Sequence, residues 1–171
     1  MNVELFLNLL LAHLVGDFVL QTDGVCKKKR EKGLCSWFMW VHPAIVTVLT
    51  WLLFGSWYFV WGAVITFASH LLIDAVKSRL EREKQHVGYF VTDQMLHLLI
   101  ISLICWMYGD GWNRVAWIPD DYALMGPAVI CAVLLCGKPA NILIKGILDW
   151  YQIEIPLKVV DGENDLKMLV H

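Results

Sequence analysis

Histidine and aspartate residues recur in this sequence as pairs spaced four residues apart, each inside an otherwise apolar stretch. The pairs are His13 with Asp17, His70 with Asp74, and Asp93 with His97, and a single His42 stands in a further apolar stretch. Because residues i and i+4 project from the same face of an α-helix, both members of a pair can point toward one place. Imidazole and carboxylate groups are ligands that zinc, manganese and iron accept. The spacing therefore favours a shared metal site.

The chemistry expected of such a site is metal-dependent hydrolysis. The predicted metal ligands are His13, Asp17, His42, His70, Asp74, Asp93 and His97. They suffice for one divalent transition metal or a close pair, with zinc or manganese foremost. In a two-metal site each cation can fix one phosphoryl oxygen while a bound water loses its proton near neutral pH.

Some of these residues, and a few of their neighbours in the sequence, are predicted to be catalytic or to orient the ligands. The predicted catalytic residues are Asp17, Asp74, Asp93 and Lys77. An aspartate that binds no metal could act as a base. Lys77 lies one turn beyond Asp74 and could meet a phosphate, although a lysine that only extends its ammonium toward water fits the sequence equally well. Gln21 and Gln94 are candidates for orienting the ligands.

The same residues allow two further functions besides metal binding. Ionisable groups inside apolar spans cost roughly 2.5 to 3.5 kcal/mol each, so their presence indicates a function. That function could be an ion or proton relay. Alternatively, the polar groups could form a structural hydrogen-bonded network between helices.

The elements that carry these residues are predicted to be membrane-spanning helices. Apolar residues make up 58% of the chain, charged residues only 18%, and nine residues are tryptophan. A hydrocarbon core of roughly 30 Å requires about 20 apolar residues in helix. Five stretches qualify, at about 3 to 22, 37 to 56, 58 to 78, 88 to 108 and 123 to 148. The predicted fold is an all-α, polytopic bundle of about five transmembrane helices.

Basic residues predict the topology of this bundle. They cluster in a loop at Lys27–Lys32 and after the third span, whereas the loop after the fourth has only Arg114. The positive-inside rule puts the first two loops in the cytoplasm, the N-terminus outside and the C-terminus inside. At 1.5 Å per residue, the paired histidines then lie roughly 12 to 14 Å from the cytoplasmic span ends and the aspartates roughly 6 to 8 Å. We expect a transmembrane domain over 1–156 and a polar cytoplasmic tail over 157–171.

Composition also limits the partners and the processing of the chain. A net charge of −2 gives no support for nucleic acid binding, so membrane lipids are the expected partners, with a homo-oligomer left open. Five cysteines without a CxxC pair argue against a disulfide framework. The first apolar segment lacks a basic region before it and a cleavage signal after it, so we expect it to remain as a span.

Four segments, in order along the chain, resemble a known family. They are Ala12 to Asp23, Val41-His42, Ser69 to Asp74 followed by Lys77, and Asp93 to His97. Over about residues 5 to 148 the chain resembles the bacterial membrane family catalogued as domain of unknown function number 3307. The resemblance implies a multi-pass protein of the bacterial inner membrane with no established activity.

A more distant likeness concerns the reaction. The layout of intramembrane histidine and aspartate is similar to that of predicted membrane-bound metal-dependent hydrolases, which implies the reaction class by analogy. The leading hypothesis is a hydrolase that acts on a lipid or lipid-linked phosphoester from the cytoplasmic leaflet. The alternatives are a small ion-binding transporter or channel, and a membrane-perturbing oligomeric effector whose polar network is structural.

Overall fold

A computed structural model describes residues 2–83, 87–112 and 119–152, and the regular structure in these ranges is entirely helical. The main helices are α1 (Val3–Leu14, continued by a π-helix at Val15–Val19), α2 (Asp23–Lys32), α3 (Trp37–Phe54), α4 (Val60–Glu83), α5 (Val87–Tyr108), α6 (Met125–Cys136) and α7 (Lys138–Trp150). Four of the helical segments are long and apolar enough to cross a membrane, or up to five if the bent pair at the N-terminus counts as one span. The prediction of an all-α bundle with about five such helices is confirmed in this form.

The outer surface of the bundle is apolar. Trp57 is 86% exposed, Trp61 70% and Leu72 65%. At most 33% of the residues in each of the four single candidate spans are buried. A protein in water rarely exposes so much contiguous apolar surface, whereas helices with internally bonded backbones tolerate lipid around them. The architecture is compatible with a multi-pass membrane protein.

A tight connection makes α3 and α4 antiparallel. Gly55 ends α3 in the left-handed conformation, with φ 76°, which glycine adopts without steric cost. Next to this connection the rings of Phe54 and Phe59 stack at 4.3 Å, and farther along both helices the rings of His42 and His70 lie 4.8 Å apart. The hairpin therefore sets which residues of the two helices meet.

An apolar core fills the end of the bundle next to this connection, and we call it the aromatic end. Its buried residues are Leu5, Leu9, Phe54, Phe59, Ala63, Ile101, Ile104, Cys105 and Trp112. Two polar side chains near it are bonded: the Trp112 indole donates to the carbonyl oxygen of Phe54 at 2.9 Å, and the Tyr108 hydroxyl accepts from a backbone N–H at 3.0 Å. On α1 the buried Asn8 Oδ1 has no partner among the described residues.

The first span ends in a π-helix and then turns sharply. Leu20 N donates to the carbonyl oxygen of Val15 at 3.0 Å, which closes a wide turn around Asp17. Gly16 allows α3 to approach closely here, because a Cβ atom at this position would lie 2.5 Å from Val46 Cγ2. Isolated π-turns inside helices are common at functional sites.

The basic segment after the first span is helical, which corrects the prediction of a loop at Lys27–Lys32. It forms α2, bent by 85° from the preceding helix. Lysine, arginine and glutamate are good helix formers, and one face of α2 packs on the bundle through the buried Lys29. Gly33, with φ 55°, ends the helix.

The predicted fifth span, 123 to 148, consists of α6 and α7, which join at Gly137. Pro139 lies in the first turn of α7, where a missing backbone N–H leaves no hydrogen bond unmade. Arg114 and the predicted tail at 157–171 lie outside the described residues, and the orientation of the termini stays a prediction.

Candidate metal centre

All seven predicted ligand side chains meet in one polar cluster among the first span, α3, α4 and α5. Their exposures are His13 3%, His42 5%, His70 2%, Asp74 5%, Asp93 3% and His97 4%, with the Asp17 side chain at 9%. We call this set the His/Asp cluster. Uncompensated polar groups are costly to bury, so the contacts that each of them makes indicate what the cluster can hold.

Asp17, His42 and His70 form the tightest group of possible ligand atoms. The two Nε2 atoms of His42 and His70 lie 2.9 Å apart, and they lie 3.2 and 3.5 Å from Asp17 Oδ1. Atoms bound to one tetrahedral zinc at about 2.0–2.1 Å are about 3.3 Å from each other. The triangle therefore has the dimensions of a metal site, although a proton shared by the two imidazoles would also account for their approach.

Asp17 also carries an unsatisfied atom. Its Oδ1 is buried without a hydrogen bond of normal geometry among the described residues, although two imidazoles are near. Buried carboxylate oxygens are rarely left unbonded. A cation held between Asp17, His42 and His70 would satisfy this oxygen, so these residues fit a metal ion.

Among the described residues, His97 also presents an unbonded atom to the cluster, its Nε2. Its Nδ1 lies 2.8 Å from the Asp93 carbonyl oxygen. A carbonyl can only accept, so Nδ1 carries the proton and the neutral ring has its lone pair on Nε2. Within the described ranges that Nε2 is buried and has no partner. His13, His70 and His97 offer ligand atoms within 4.8 Å of one another, which makes a second candidate group that shares His70 with the first.

A chain of hydrogen bonds orients His13. Lys77 Nζ donates to Asp93 Oδ2 at 2.7 Å, and Gln94 Nε2 donates to the same oxygen at 2.9 Å. The Gln94 amide is thereby turned so that its Oε1 lies 3.3 Å from His13 Nε2. Gln94 thus has the orienting contact expected of it. Gln21, by contrast, lines an open cavity beside the cluster.

The aspartates that pair with lysines differ from Asp17. Lys29 donates to Asp74 Oδ2, which also lies 3.8 and 3.9 Å from the Nε2 atoms of His42 and His70. Asp74 is therefore at the edge of the Asp17 triangle, with a lysine as its present cation. Asp93 is bound by Lys77 and Gln94 and belongs to neither candidate group.

Lys29 is a member of this site that sequence reasoning missed. The sequence interpretation used it only as a topology signal within a basic loop. A signal was available, because the less exposed positions of α2, Val25, Cys26, Lys29 and Arg30, recur at helical spacing. A helical interpretation of the segment would have turned Lys29 toward the bundle.

An open cavity of about 710 Å³ leads to the cluster between α2, α4, α5 and α7. Asp17 and Asp74 lie on its wall, and its cationic lining residues are Lys29, Arg30, Lys77, Lys138 and Lys145. At the rim, Lys138 Nζ lies 2.8 Å from Asp23 Oδ1, and this hydrogen bond lowers the pKa of the Asp23 carboxyl. The carboxylate lining residues of the cavity are Asp17, Asp23, Asp74, Glu81 and Asp149, so cations and carboxylates are equal in number. Four of the cations lie in ion pairs, and the open cavity therefore places lysine side chains, but no net positive charge, beside the candidate metal ligands.

The opposite side of the cluster is closed. A void of about 20 Å³ lies between His13, His70 and His97 and the aromatic end, which is room for about one water. The hydroxyls of Thr50, Thr66 and Ser69 that line it donate to backbone carbonyls of their own helices. Among the described residues, the cluster opens to the cavity between α2, α4, α5 and α7, and its member Asp93 also lines an apolar groove on the outer face between α4 and α5.

Fold and cluster together define a class: a helical protein with several potential membrane spans and a buried His/Asp cluster. A family model described as "Protein of unknown function (DUF3307)" matches residues 5–122, and the chain belongs to that family. The resemblance seen in the sequence motifs is confirmed to this extent, and the likeness to hydrolases stays a prediction. No match to the chain was found among curated proteins or among solved structures.

Proposed function

We propose that this protein is a membrane-embedded, metal-dependent hydrolase that acts on a lipid or lipid-linked phosphoester. The observation that carries the proposal is the triangle of Asp17, His42 and His70, at 2.9 to 3.5 Å, on the inner side of an open cavity whose wall includes Lys29 and Lys77. Metal ligands next to lysine side chains that can contact a phosphate are what phosphoester hydrolysis requires.

The membrane placement of this proposal is the bacterial inner membrane, with the N-terminus outside and the C-terminus in the cytoplasm. Its support is the charge distribution. The basic helix α2 and the lysines of α7 border the same open cavity, and basic residues prefer the cytoplasmic side. The cavity would then open at the level of the cytoplasmic headgroups, where lipid phosphates are found.

Asp17, His42 and His70 would hold a divalent metal, zinc or manganese, and His13 and His97 are available for a second one with His70 shared. When bound, such a metal supplies activation of water and polarisation of the phosphoryl group. Lys29 and Lys77 attract and orient a phosphate through their charge. Asp74, at the boundary between triangle and cavity, is the best situated to accept a proton from water.

Asp93 has a different task in this proposal from the ligand role that its spacing suggested. Its carboxylate receives Lys77 and Gln94, and its carbonyl receives His97 Nδ1. It is therefore a positioning residue that sets the directions of two histidines and one lysine. Such outer partners typically change metal affinity by about 10- to 100-fold.

An ion or proton transporter is the second candidate, favoured by the buried pairs of Lys29 with Asp74 and Lys77 with Asp93. Transport requires access from both sides of the cluster in turn. The aromatic end is tightly packed, and the hydroxyls next to it are bonded to their own helices. One-sided access favours the hydrolase.

Metal analysis of the purified protein tests the proposal. We expect at least one zinc or manganese per chain in the natural protein, and less than a tenth of that in Asp17→Asn and His70→Ala. The control is Glu31→Gln, which removes a carboxylate charge from an exposed pair on α2 and should keep the full metal content. The metal-loaded protein should release phosphate or a phosphoalcohol from an anionic lipid. Absence of a bound metal from the natural protein, or equal metal in all variants, would contradict the proposal.

A further inference from the structure

A second cavity runs along the outer face of the bundle between α4 and α5. Its volume is about 320 Å³, and its surface is almost wholly apolar. We call it the α4/α5 groove, and its main lining residues are Leu72, Val76, Leu80, Thr92, Leu96 and Leu99. On α4 the lining extends from Ser69 to Leu80, which at 1.5 Å per residue is roughly 16 Å of helix.

The large side chains of the groove are strongly exposed. Leu72 is 65% exposed, Leu99 64% and Val76 51%. A concave apolar surface of this size is in the range of small-molecule sites, about 300–1,000 Å³. Its shape is long and narrow, and polar atoms contribute almost nothing to its wall. The ligand that this wall fits is a hydrocarbon chain.

Lys77 connects the groove to the open cavity beside the His/Asp cluster, because its side chain lines both. Its ammonium group lies 2.7 Å from Asp93 Oδ2 and 5.5 Å from the centre of the Phe90 ring, and its side chain is 24% exposed. Asp93 lies at the inner wall of the groove, and Asp17 and Asp74 line the cavity. A single cation therefore stands at the boundary between an apolar slot and the polar space beside the candidate metal ligands.

We infer that the α4/α5 groove binds an acyl chain of the anionic lipid substrate. The lipid phosphate would then lie beside Lys77, and the headgroup would lie in the open cavity that leads to the His/Asp cluster. The substrate class is then a phospholipid that enters sideways from the membrane between α4 and α5. That the bound lipid is a substrate rests on the proposed function. That a lipid binds at all rests only on the groove and Lys77.

The order of apolar and polar surfaces distinguishes this occupant from a second copy of the chain. Lys77 already pairs with Asp93, but its ammonium has three N–H donors and can share them with a phosphate, whereas a partner helix would only cover the leucines. An anionic lipid has an apolar tail and a phosphate within one molecule, in the order in which the groove and the cavity follow each other. The arrangement thus matches an amphiphile rather than a helix.

Photo-crosslinking tests the lipid binding without any catalysis. The purified full chain in lipid nanodiscs is exposed to phosphatidylglycerol that carries a diazirine on one acyl chain, and to the matching phosphatidylcholine probe. We expect crosslinks on peptides covering 72–80 and 92–99 to be at least fivefold enriched over the other lipid-facing helices, and more abundant with the anionic probe. Leu72→Trp and Leu96→Trp, which fill the groove, should lower this labelling at least fivefold. Leu103→Trp, an equally apolar change outside the groove on α5, should not lower it.

Labelling spread evenly over the helices, or unchanged in both groove variants, would overturn the inference. So would a Leu72→Cys protein that forms a disulfide dimer with loss of lipid labelling, because a second copy then covers the groove. In activity assays, the groove variants should raise KM for a long-chain lipid and leave the rate on water-soluble bis-p-nitrophenyl phosphate unchanged. If the natural protein hydrolyses neither substrate, the proposed function fails while the crosslinking result still decides the groove.

Discussion

The aromatic end and the His/Asp cluster occupy the same four helices and are built on opposite rules. At the aromatic end the side chains are apolar and fully packed, with Phe59 and Leu5 at 0% exposure. The polar atoms at its edge, on Trp112 and Tyr108, have backbone partners. This is the packing that gives a helical bundle its stability.

The His/Asp cluster is equally buried but far less satisfied. Asp17 Oδ1, Asp93 Oδ1 and His97 Nε2 have no hydrogen-bond partner within the ranges that the structure describes. Two of its carboxylates are held by lysines. Unsatisfied buried groups destabilise a fold. Asn8 Oδ1 and Thr47 Oγ1 are further examples outside the cluster, but three such atoms on ionisable side chains in one cluster indicate that something other than stability accounts for them. Substitutions in each region can test this contrast.

The largest effect on stability is expected at the aromatic end. Phe59→Ala removes a ring that is fully buried and stacked on Phe54, which should cost about 3 to 5 kcal/mol of unfolding free energy. Folded Phe59→Ala protein should keep its metal. Thermal and denaturant unfolding in detergent measures the first effect and metal analysis the second. Trp106→Ala, at a 75% exposed position, is the control, and a cost as large there would remove the contrast.

An effect of similar size is expected when Lys29 is removed from the cluster. Lys29→Met leaves the buried Asp74 carboxylate without its cation, a change that typically costs about 3 kcal/mol or more. The double variant Lys29→Met with Asp74→Asn should regain most of that loss. Lys27→Met, in an exposed pair with Glu31, should cost less than about 1 kcal/mol. Equal losses in the single and double variants would mean that Lys29 acts without Asp74.

A change in metal affinity without loss of fold is expected for Gln94. Gln94→Leu keeps the volume approximately and removes the contacts with His13 and Asp93. Metal affinity should fall about 10- to 100-fold, measured by competition with a chelating dye. Ser102→Ala, which removes a hydroxyl bonded to its own helix on α5, should leave the affinity unchanged. An unaltered affinity in Gln94→Leu would show that His13 needs no orientation.

Much of the architecture could be predicted because hydropathy and helical periodicity are local signals. The apolar stretches around His42, His70 and His97 correspond to α3, α4 and α5. The connection at Gly55 makes α3 and α4 antiparallel, which brings His42 beside the pair on α4. Reversing the order of His and Asp between α4 and α5 keeps His70 and His97 within one layer, with ring centres 4.3 Å apart.

The rest depended on contacts that a local pattern does not contain. Helical spacing in the basic segment could have turned Lys29 toward the bundle, but its pairing with Asp74 also depends on the 85° bend before α2, which no local pattern predicts. The π-turn at Asp17 is likewise a product of packing, with Gly16 against Val46. For Asp93 the spacing suggested a metal ligand, whereas its actual neighbours are Lys77 and Gln94.

X-ray absorption at the zinc or manganese edge of the purified protein tests the central claim most directly, because it reports which atoms surround the bound ion. We predict at least two imidazole nitrogens and a carboxylate oxygen at about 2.0 to 2.2 Å for zinc. His42→Ala should remove one imidazole from that shell or abolish binding. A metal-free protein, or a metal whose shell is unchanged in His42→Ala, would contradict that claim.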